Sequence, residues 1–421
     1  MIIDTLRNAW KIEDIRKKIN FTILMLFIYR VGTFVPIPGI NSDYIRQLVA
    51  DGGLLSFFDI ITGGAFANFT IFALGITPHI NASIIMQLLT VAIPKLEQLA
   101  KEGEEGRKKI AQYTRYFTII LAFVQAFGIT YGLAQGAIRN PGFLSYFVVA
   151  LTLTAGTAFL MWLGEQITDK GIGNGISLII FTSIVSRLPI SIIATYQNVF
   201  VAKTQSIWSI PIMIVFAVLL IAGVIFIDMG ERRIPVQYAK RVVGRKVYGG
   251  QSTHIPMKVN SSGVLPIIFA VSILAFPQTI AQFFPESGFA IWVGKYFSQG
   301  SALYAVLYGL LIIFFTFFYT QITFNPIEVA NNLKQYGGFV MGIRPGRPTA
   351  KYLGKISNRL TFVGSLFLAA VAIIPIAASA AAKIPMYFGG TAILIIVGVA
   401  METSKEIEAQ MLMRHYKGFL K

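Results

Sequence analysis

Apolar residues along this chain fall into long blocks divided by short polar ones. The blocks run roughly over 20–36, 71–93, 116–137, 143–165, 175–196, 207–228, 263–284, 303–325, 360–381 and 385–403. Each is close to the ~20 residues a helix needs to cross ~30 Å of hydrocarbon, so the pattern predicts ten membrane spans. Only AAKIP divides the last two, and Lys383 and Pro385 place a turn there. One stretch departs from the pattern: residues 54–93 are apolar over about twice the length of a single span. Gly63 and Gly64 interrupt it, with Asp59 before them and Asn68 after. Adjacent glycines make a poor helix interior and a natural hinge. The pattern predicts a short re-entrant helix at 54–62, a break, and a true span from about Ile71 to Ile93. Non-helical backbone survives at membrane depth only when buried in protein or lining a water-filled cavity, which points to a pore or transport path. The plainer alternative is a surface amphipathic helix followed by an ordinary span.

Composition supports an all-α polytopic membrane protein. Of 421 residues, 55% are hydrophobic and 13% charged, against ~25% charged in soluble domains. The absence of cysteine excludes disulfides, thiolate chemistry and Cys-ligated metals. The first twenty residues, MIIDTLRNAWKIEDIRKKIN, are too charged for a signal peptide and lack a small-residue cleavage site. The first span is therefore expected to be retained.

The net charge of +17 is unevenly placed. With the N-terminus inside, segments 1–20, 94–115, 165–174, 229–262, 326–359 and 401–421 hold twenty-nine of the 36 Lys and Arg residues. The opposite side is assigned Arg46, Arg139, Arg187, Lys203, Lys295 and Lys383, and Arg30 alone is assigned to a span. This bias puts both termini in the cytoplasm. The expected organisation is a cytoplasmic segment 1–20, an N-terminal half 21–196, a C-terminal half 207–403 and a cytoplasmic tail 404–421. Five plus five spans fit an inverted repeat, although no self-similarity is visible in the sequence. Two long cytoplasmic loops, 231–260 and 325–360, mix Arg and Lys with Gly, Pro and Tyr. Such loops suit docking to a large, nucleic-acid-bearing partner; the alternative is that they only enforce topology and touch anionic lipid.

Several chemistries are missing. No GxxxxGK[ST] occurs, so there is no Walker-type nucleotide site. Gly171, Gly173 and Gly175 do not have the GxGxxG spacing and follow no predicted strand; they read as a flexible helix start. His79, His254 and His415 are scattered and form no metal constellation. His79, inside a span, suits a pore-side or interhelical polar role better than a proton relay. Sequons at Asn68, Asn81 and Asn260 read as chance matches. Ion-coupled carriers usually keep Asp, Glu or His in mid-span. Here Glu165 and Asp228 fall at span ends and Asp59 in the re-entrant piece, so the spans read as built for packing and sealing.

The motifs converge on one family. GEQITDKGIGNGISLIIF (164–181) resembles the most recognisable signature of SecY, the central subunit of the Sec protein-conducting channel. FALGITPHINASIIMQLL (72–89) resembles its second span. RRIPVQYAKR (232–241), STHIPMKVNSSGVLPIIFA (252–270), GIRPG (342–346) and GGTAILIIVGVAMET (389–403) resemble further family blocks in order. The resemblance covers nearly the whole chain. It implies ten transmembrane helices in two pseudo-symmetric five-helix halves around an hourglass channel, with a re-entrant plug helix at about 54–69.

By motif, the family's pore ring falls on Ile76, Ile80, Ile176, Ile180, Ile268 and Ile395. Ile76/Ile80 and Ile176/Ile180 are i,i+4 pairs, each on one helix face. A ring of stiff β-branched side chains binds no ion and gates by dewetting; read without the family, an Ile in a span is ordinarily lipid-facing or core. The plug would comprise Phe57, Phe58, Asp59, Ile60, Ile61, Thr62, Gly63 and Gly64. The resemblance implies sideways opening between spans 2 and 3 and spans 7 and 8, where Asn81, Gln87, Gln125 and Asn260 lie in or beside the lateral gate, with simple interhelical packing an equal alternative. Arg344 is the first candidate for partner docking, then Arg241, Arg245, Lys246 and Arg347, since Arg pairs bidentately with carboxylates and phosphates. The pore-facing pair Pro78–His79 departs from the family's uncharged pattern. The implied activity is a passive channel, not an enzyme, that translocates unfolded secretory chains and releases transmembrane segments laterally into lipid. The implied partners are SecE, SecG, the SecA ATPase, the ribosome, signal peptides and nascent chains, and anionic lipids, in a bacterial plasma membrane. No cofactor and no metal is expected. A secondary transporter or lipid-linked flippase is the alternative, disfavoured by the missing mid-span acids and the large basic loops; a scaffold has no use for a re-entrant segment.

Overall fold

The computed structural model describes residues 7–418 except residue 8 and the stretches 51–53, 133–135, 203–205, 239–240, 244–245, 249–251, 284–286, 298–300 and 383–389. The predicted turn at Lys383 and Pro385 and the outer charge Lys203 lie outside the described residues. In chain order the helices are α1 (Glu13–Gly32), α2 (Ser42–Ala50), α3 (Leu54–Ile61), α4 (Thr77–Ala92), α5 (Pro94–Lys101), α6 (Glu104–Gly132), α7 (Phe143–Lys170), α8 (Gly175–Tyr196) and α9 (Ser209–Met229). They continue with α10 (Leu265–Phe283), α11 (Gly288–Tyr296), α12 (Ala302–Thr323), α13 (Pro326–Gln335), α14 (Arg347–Ala382) and α15 (Gly390–Gly418). Each predicted apolar block meets a helix. Among the described residues, α7, α8, α9, α12 and α14 are apolar and long enough to cross a membrane, and the bent pair α4–α5 makes a sixth.

Helix limits depart from the apolar blocks where chemistry allows. α6 starts at Glu104 rather than 116, and α14 at Arg347 rather than 360. Charged residues continue a helix into water through i,i+4 pairs such as Glu13–Lys17 (2.9 Å) and Glu104–Lys108 (2.8 Å). Hydrogen bonds from those lysines hold the two exposed carboxyls below their ordinary range. The second span starts later than predicted: residues 62–76 form turns, and α4 begins only at Thr77, with Pro78 in its first turn. It ends at Ala92 because Ile93, held extended by the following Pro94, turns the chain through 99° into α5.

The all-helix expectation omitted five short strands. β1 (Glu231–Tyr238) pairs antiparallel with β4 (Ser252–Lys258) and β5 (Gly338–Val340), while β2 (Arg241–Val243) pairs with β3 (Lys246–Tyr248). Both long basic loops thus meet in one sheet. Ile234 and Val236 point inward from β1 and pack with Met257, Leu333, Val340 and Leu353. Alternation over so few residues was hidden by the surrounding charge.

The largest apolar cluster joins both parts of the chain, with Tyr29, Leu160 and Ile184 packing in one body with Phe269, Tyr308 and Leu394. A second lies among α2, the 66–74 turns, α6 and α7. A third ties the first and last helices, with Ile15 against Ile172 and Ile407. Close backbone approach sets several of these contacts. A Cβ on Gly156 of α7 would meet the Ile71 carbonyl at 1.9 Å, and one on Gly175 the Gly164 carbonyl at 2.0 Å. Gly156→Ala is therefore expected to destabilise by about 1–3 kcal/mol, seen as a lower unfolding temperature in detergent. Gly294→Ala in α11, where a Cβ meets nothing within 4 Å, should be neutral or stabilise by about 0.5–1 kcal/mol. Equal effects at the two positions would refute the packing argument.

Candidate functional site

The broken segment organises the site. α3 delivers its C-terminus into the protein, and the chain then turns repeatedly until Thr77. Every backbone N–H from Thr62 through Ile71 has an acceptor. Most acceptors are local carbonyls, but Phe66 donates to Thr62 Oγ1 (3.2 Å), Ala67 to Asp59 Oδ1 (2.8 Å) and Ile71 to the Val35 carbonyl (3.1 Å). Gly64 and Gly75 adopt φ of +95° and +57°, which suits glycine.

Two helices latch this segment. From α8, Arg187 Nη2 forms an ion pair with Asp59 Oδ2, the two side chains being 18% and 9% exposed. From α1, Arg30 Nη1 donates to the Gly63 carbonyl (2.9 Å), and the Tyr29 hydroxyl lies 3.3 Å from the Thr62 carbonyl and 2.6 Å from Ser183 Oγ. A Cβ on Gly63 would stand 3.0 Å from the Ser183 Cα, so the loop lies directly on α8. The sequence counted Arg187 among the charges of the opposite side; it sits within α8, paired with an acid on the re-entrant piece. Arg30, expected to snorkel or pair, also lies over the Phe34 ring at 4.7 Å. Tyr29, Ser183 and Arg187 were missed by sequence reasoning. The available signal was two arginines and one aspartate within apolar runs, since intramembrane charges take partners.

The six isoleucines come together. Ile76, Ile80, Ile180, Ile268 and Ile395 are buried in the largest cluster, and half-buried Ile176 packs against it. They come from the starts of α4, α8 and α10 and from α15. Ile61 and Ala65 of the broken segment join the same cluster. The start of α8 is fixed by Asn174, whose Oδ1 accepts from the Ser177 N–H (3.1 Å), and by Thr168 Oγ1, which accepts from the Gly175 N–H (2.9 Å). Of the other plug candidates, Asp59, Thr62, Gly63 and Gly64 are buried, and Phe58, Ile60 and Ile61 are half-buried; the Phe57 side chain lies outside the described ones.

Of the two roles open to His79, pore-side or interhelical, its contact fits the second. Its Nδ1 lies 3.1 Å from Thr118 Oγ1 on α6, so it links two neighbouring helices. Thr118 sits on the face of α6 that packs on α4, which captures the ring. α10 packs against both α4 and α6. Asn81 and Gln125 are buried, and Gln87 Oε1 is buried without a partner among the described residues. Asn260 accepts from Ser262 (3.4 Å) and lies just before α10, near the ends of α9 and α12 and the middle of α15, beside Asp228, Thr323 and Lys405. The structure therefore brings Asn81, Gln87 and Gln125 to one packed region and places Asn260 apart from them, just before α10 and beside the end of α12. Arg344 and Arg347 are exposed, at the turn before α14 and at its first residue. Arg241 and Lys246 lie in β2 and β3, and Arg245 lies outside the described residues. Among the described residues no group of His, Cys, Asp or Glu could hold a metal.

A SecY family profile matches residues 70–404. Protein translocase subunit SecY of Halalkalibacterium halodurans is 49% identical, with 99% of each chain covered, and that of Bacillus subtilis is 46% identical with the same coverage. Among solved structures, a SecY protein whose plug domain stabilises the closed state of the translocation channel superposes with a TM-score of 0.67 at 20% identity, covering 94% of this chain and 92% of that one. Sec61 in a canine ribosome–channel complex gives 0.64 at 20% identity over 94% and 93%. At these identities the structural likeness speaks to the fold.

Breaking a buried ion pair from one side costs about 3–5 kcal/mol. Asp59→Asn or Arg187→Gln should accordingly speed amide hydrogen exchange over residues 58–70 by roughly two orders of magnitude. The double substitution should cost clearly less than the two singles summed. Unchanged exchange in both singles would show that the latch does not hold the segment.

Proposed function

The chain belongs to the SecY family, and we propose from this that it is a protein-conducting channel, captured closed. The observation that carries the reading is the convergence of six isoleucines on one apolar cluster that also receives Ile61 and Ala65 of the latched segment. In this reading the isoleucines form the constriction, and residues from about 54 to 69 form the plug seated against it. An apolar constriction excludes ions by dewetting when empty. It also yields around any side chain, because dispersion contacts have no direction.

An unfolded secretory chain would displace the plug and pass through the constriction. An apolar signal or transmembrane segment would leave sideways where α10 meets α4 and α6. We assign the pore to two five-helix halves, 21–196 and 207–403, in a ten-span arrangement, with both termini cytoplasmic in a bacterial plasma membrane. Twenty-nine of the 36 Lys and Arg residues on one side support that orientation. The chain carries no Walker sequence, so the driving energy is assigned to a partner: the SecA ATPase or the ribosome, with SecE and SecG completing the membrane complex. Exposed Arg344 and Arg347 beside the β1–β4–β5 sheet offer the cytoplasmic docking surface.

Planar-bilayer conductance tests the conduit. The intact chain with its small membrane partners should be silent, and a version lacking residues 57–67 should open frequently. If both remain silent even with a translocating chain arrested inside, the conduit reading fails and substrate-exchange assays for a carrier replace it. Docking has a separate check. Arg344→Glu should weaken binding to ribosomes or the motor by roughly tenfold or more, as loss and reversal of a charge-assisted contact requires, while leaving bilayer conductance unchanged. Unaltered binding would remove Arg344 from the docking surface.

A further inference from the structure

The latch on the broken segment holds more cation than it needs. Arg187 of α8 and Arg30 of α1 both reach the segment, and among the described residues Asp59 is the one carboxylate in ion-pair contact with either. Arg30 has neutral neighbours: the Gly63 carbonyl at 2.9 Å, Thr33 Oγ1 at 3.3 Å and the face of the Phe34 ring at 4.7 Å. Arg187 Nε is buried with no hydrogen-bond partner among the described residues. Two guanidinium charges thus face one carboxylate. That carboxylate is the sole charge between residues 54 and 69, so it belongs to the segment while both cations belong to the wall.

Both cations face the volume that the segment fills. A Cβ on Gly64 would stand 2.8 Å from Arg187 Nη2, and Arg30 Nη1 reaches the adjacent Gly63. Their height follows from α8. Its first turns carry Ile176 and Ile180, and Arg187 comes ~10 Å farther along the axis, at ~1.5 Å per residue. α8 runs outward from the basic segment 165–174, so the guanidiniums lie on the outer side of the isoleucines. Tyr29 and Ser183, which meet at 2.6 Å beside them, bring hydroxyls and no charge. Arginine does not lose its proton in a protein. The wall therefore stays doubly positive once the carboxylate leaves.

We propose that Arg30 and Arg187 form a cationic collar that sorts client segments by charge, slowing Lys- and Arg-rich stretches and favouring acidic ones. The proposal rests on the conduit reading above and deepens it. While the segment is seated, Asp59 and the Gly63 carbonyl occupy the collar. Once it is displaced, the same donors face the client. An acidic side chain replaces the lost carboxylate with charge-assisted hydrogen bonds. A basic one meets like charge in a narrow passage with apolar walls, where repulsion is screened less than in bulk water. The isoleucine constriction cannot make this distinction, because apolar surroundings penalise both signs of charge.

The test uses the full chain with its small membrane partners and the motor, in proteoliposomes held at zero membrane potential so that no external field sorts the clients. Three clients differ only in one short stretch of lysine, glutamate or serine. The version lacking residues 57–67 has no latch but keeps both arginines, and serves as the background. There, Arg30→Gln with Arg187→Gln should raise the ratio of lysine-client to glutamate-client rates by about fivefold, the weight of one close charge contact even in bulk water. Arg30→Lys with Arg187→Lys keeps the charge and should leave the ratio in place. An unmoved ratio in the glutamine pair, or an equal rise in the lysine pair, would overturn the collar. If the serine client does not cross this background at all, the conduit reading falls and takes the collar with it. If it crosses and the ratio stays fixed, the conduit stands and the collar alone falls. Should the glutamine pair not fold, Arg30→Gln in the intact channel leaves the Asp59–Arg187 pair whole. It must still raise the ratio by about twofold, and no rise there would equally overturn the proposal.

Discussion

Backbone that leaves the helix inside an apolar body must find its hydrogen bonds within the protein. The stretch from Thr62 to Ile76 imposes that demand here, and much of the surrounding structure serves it. The N–H groups of Thr62 through Ile71 are all satisfied. That requires the Asp59 carboxylate, the Thr62 hydroxyl and the Val35 carbonyl in fixed positions. Those positions in turn depend on close packing at glycine. Gly32 lets α1 approach the Phe72 ring, and Gly156 lets α7 approach the Ile71 carbonyl. Tyr29, Phe72 and Phe159 then stack in sequence at 6.0 Å centroid spacing. Residues far apart in the chain are therefore fixed by one non-helical segment.

The same segment gathers charge. Arg30, Asp59 and Arg187 are all held within apolar surroundings, and each has a named partner in it or on it. A buried ion pair adds little net stability over apolar packing of the same shape, but removing one member is costly. Its use is to define a single seat. Apolar contacts of Ile61 and Ala65 would tolerate sliding or rotation; a guanidinium on a carboxylate would not. Asp59 also accepts from the Ala67 N–H, so the charge that locks the segment to α8 also fixes the turn that follows.

Much of this was legible in the sequence because it depends on local pattern. Block lengths placed the helices, the doubled apolar stretch with Gly63 and Gly64 placed the break, and the i,i+4 isoleucines placed two faces that do meet. What was not legible depends on which element lies beside which. Arg187 reads only as one of the opposite-side charges until Asp59 is seen to lie against it. His79 reads as either pore-side or interhelical until Thr118 arrives from α6. The start of α4 slipped from 71 to 77 because apolar composition does not distinguish a helix from buried turns. The sheet escaped notice because Ile234 and Val236 are two inward positions in a basic loop. Asn260 lies before α10 and beside the end of α12, away from the other three seam candidates. Composition could not separate these cases.

The distribution of polar contacts suggests where the work of opening a proposed conduit resides. Where α10 meets α4 and α6, the described residues offer no hydrogen bond among Asn81, Gln87 and Gln125, and Gln87 Oε1 is already unpaired. Parting that seam exposes apolar surface but creates few new orphaned groups, and an incoming apolar helix restores the same kind of contact. The isoleucine cluster is equally undemanding, since one apolar neighbour can replace another. The plug differs. Moving it breaks the Arg187–Asp59 pair and the Arg30–Gly63 bond together, leaving two guanidinium groups that no apolar client can satisfy. Directional bonds are therefore concentrated on the part that must stay shut at rest, and non-directional contacts on the parts that must accept clients of any sequence.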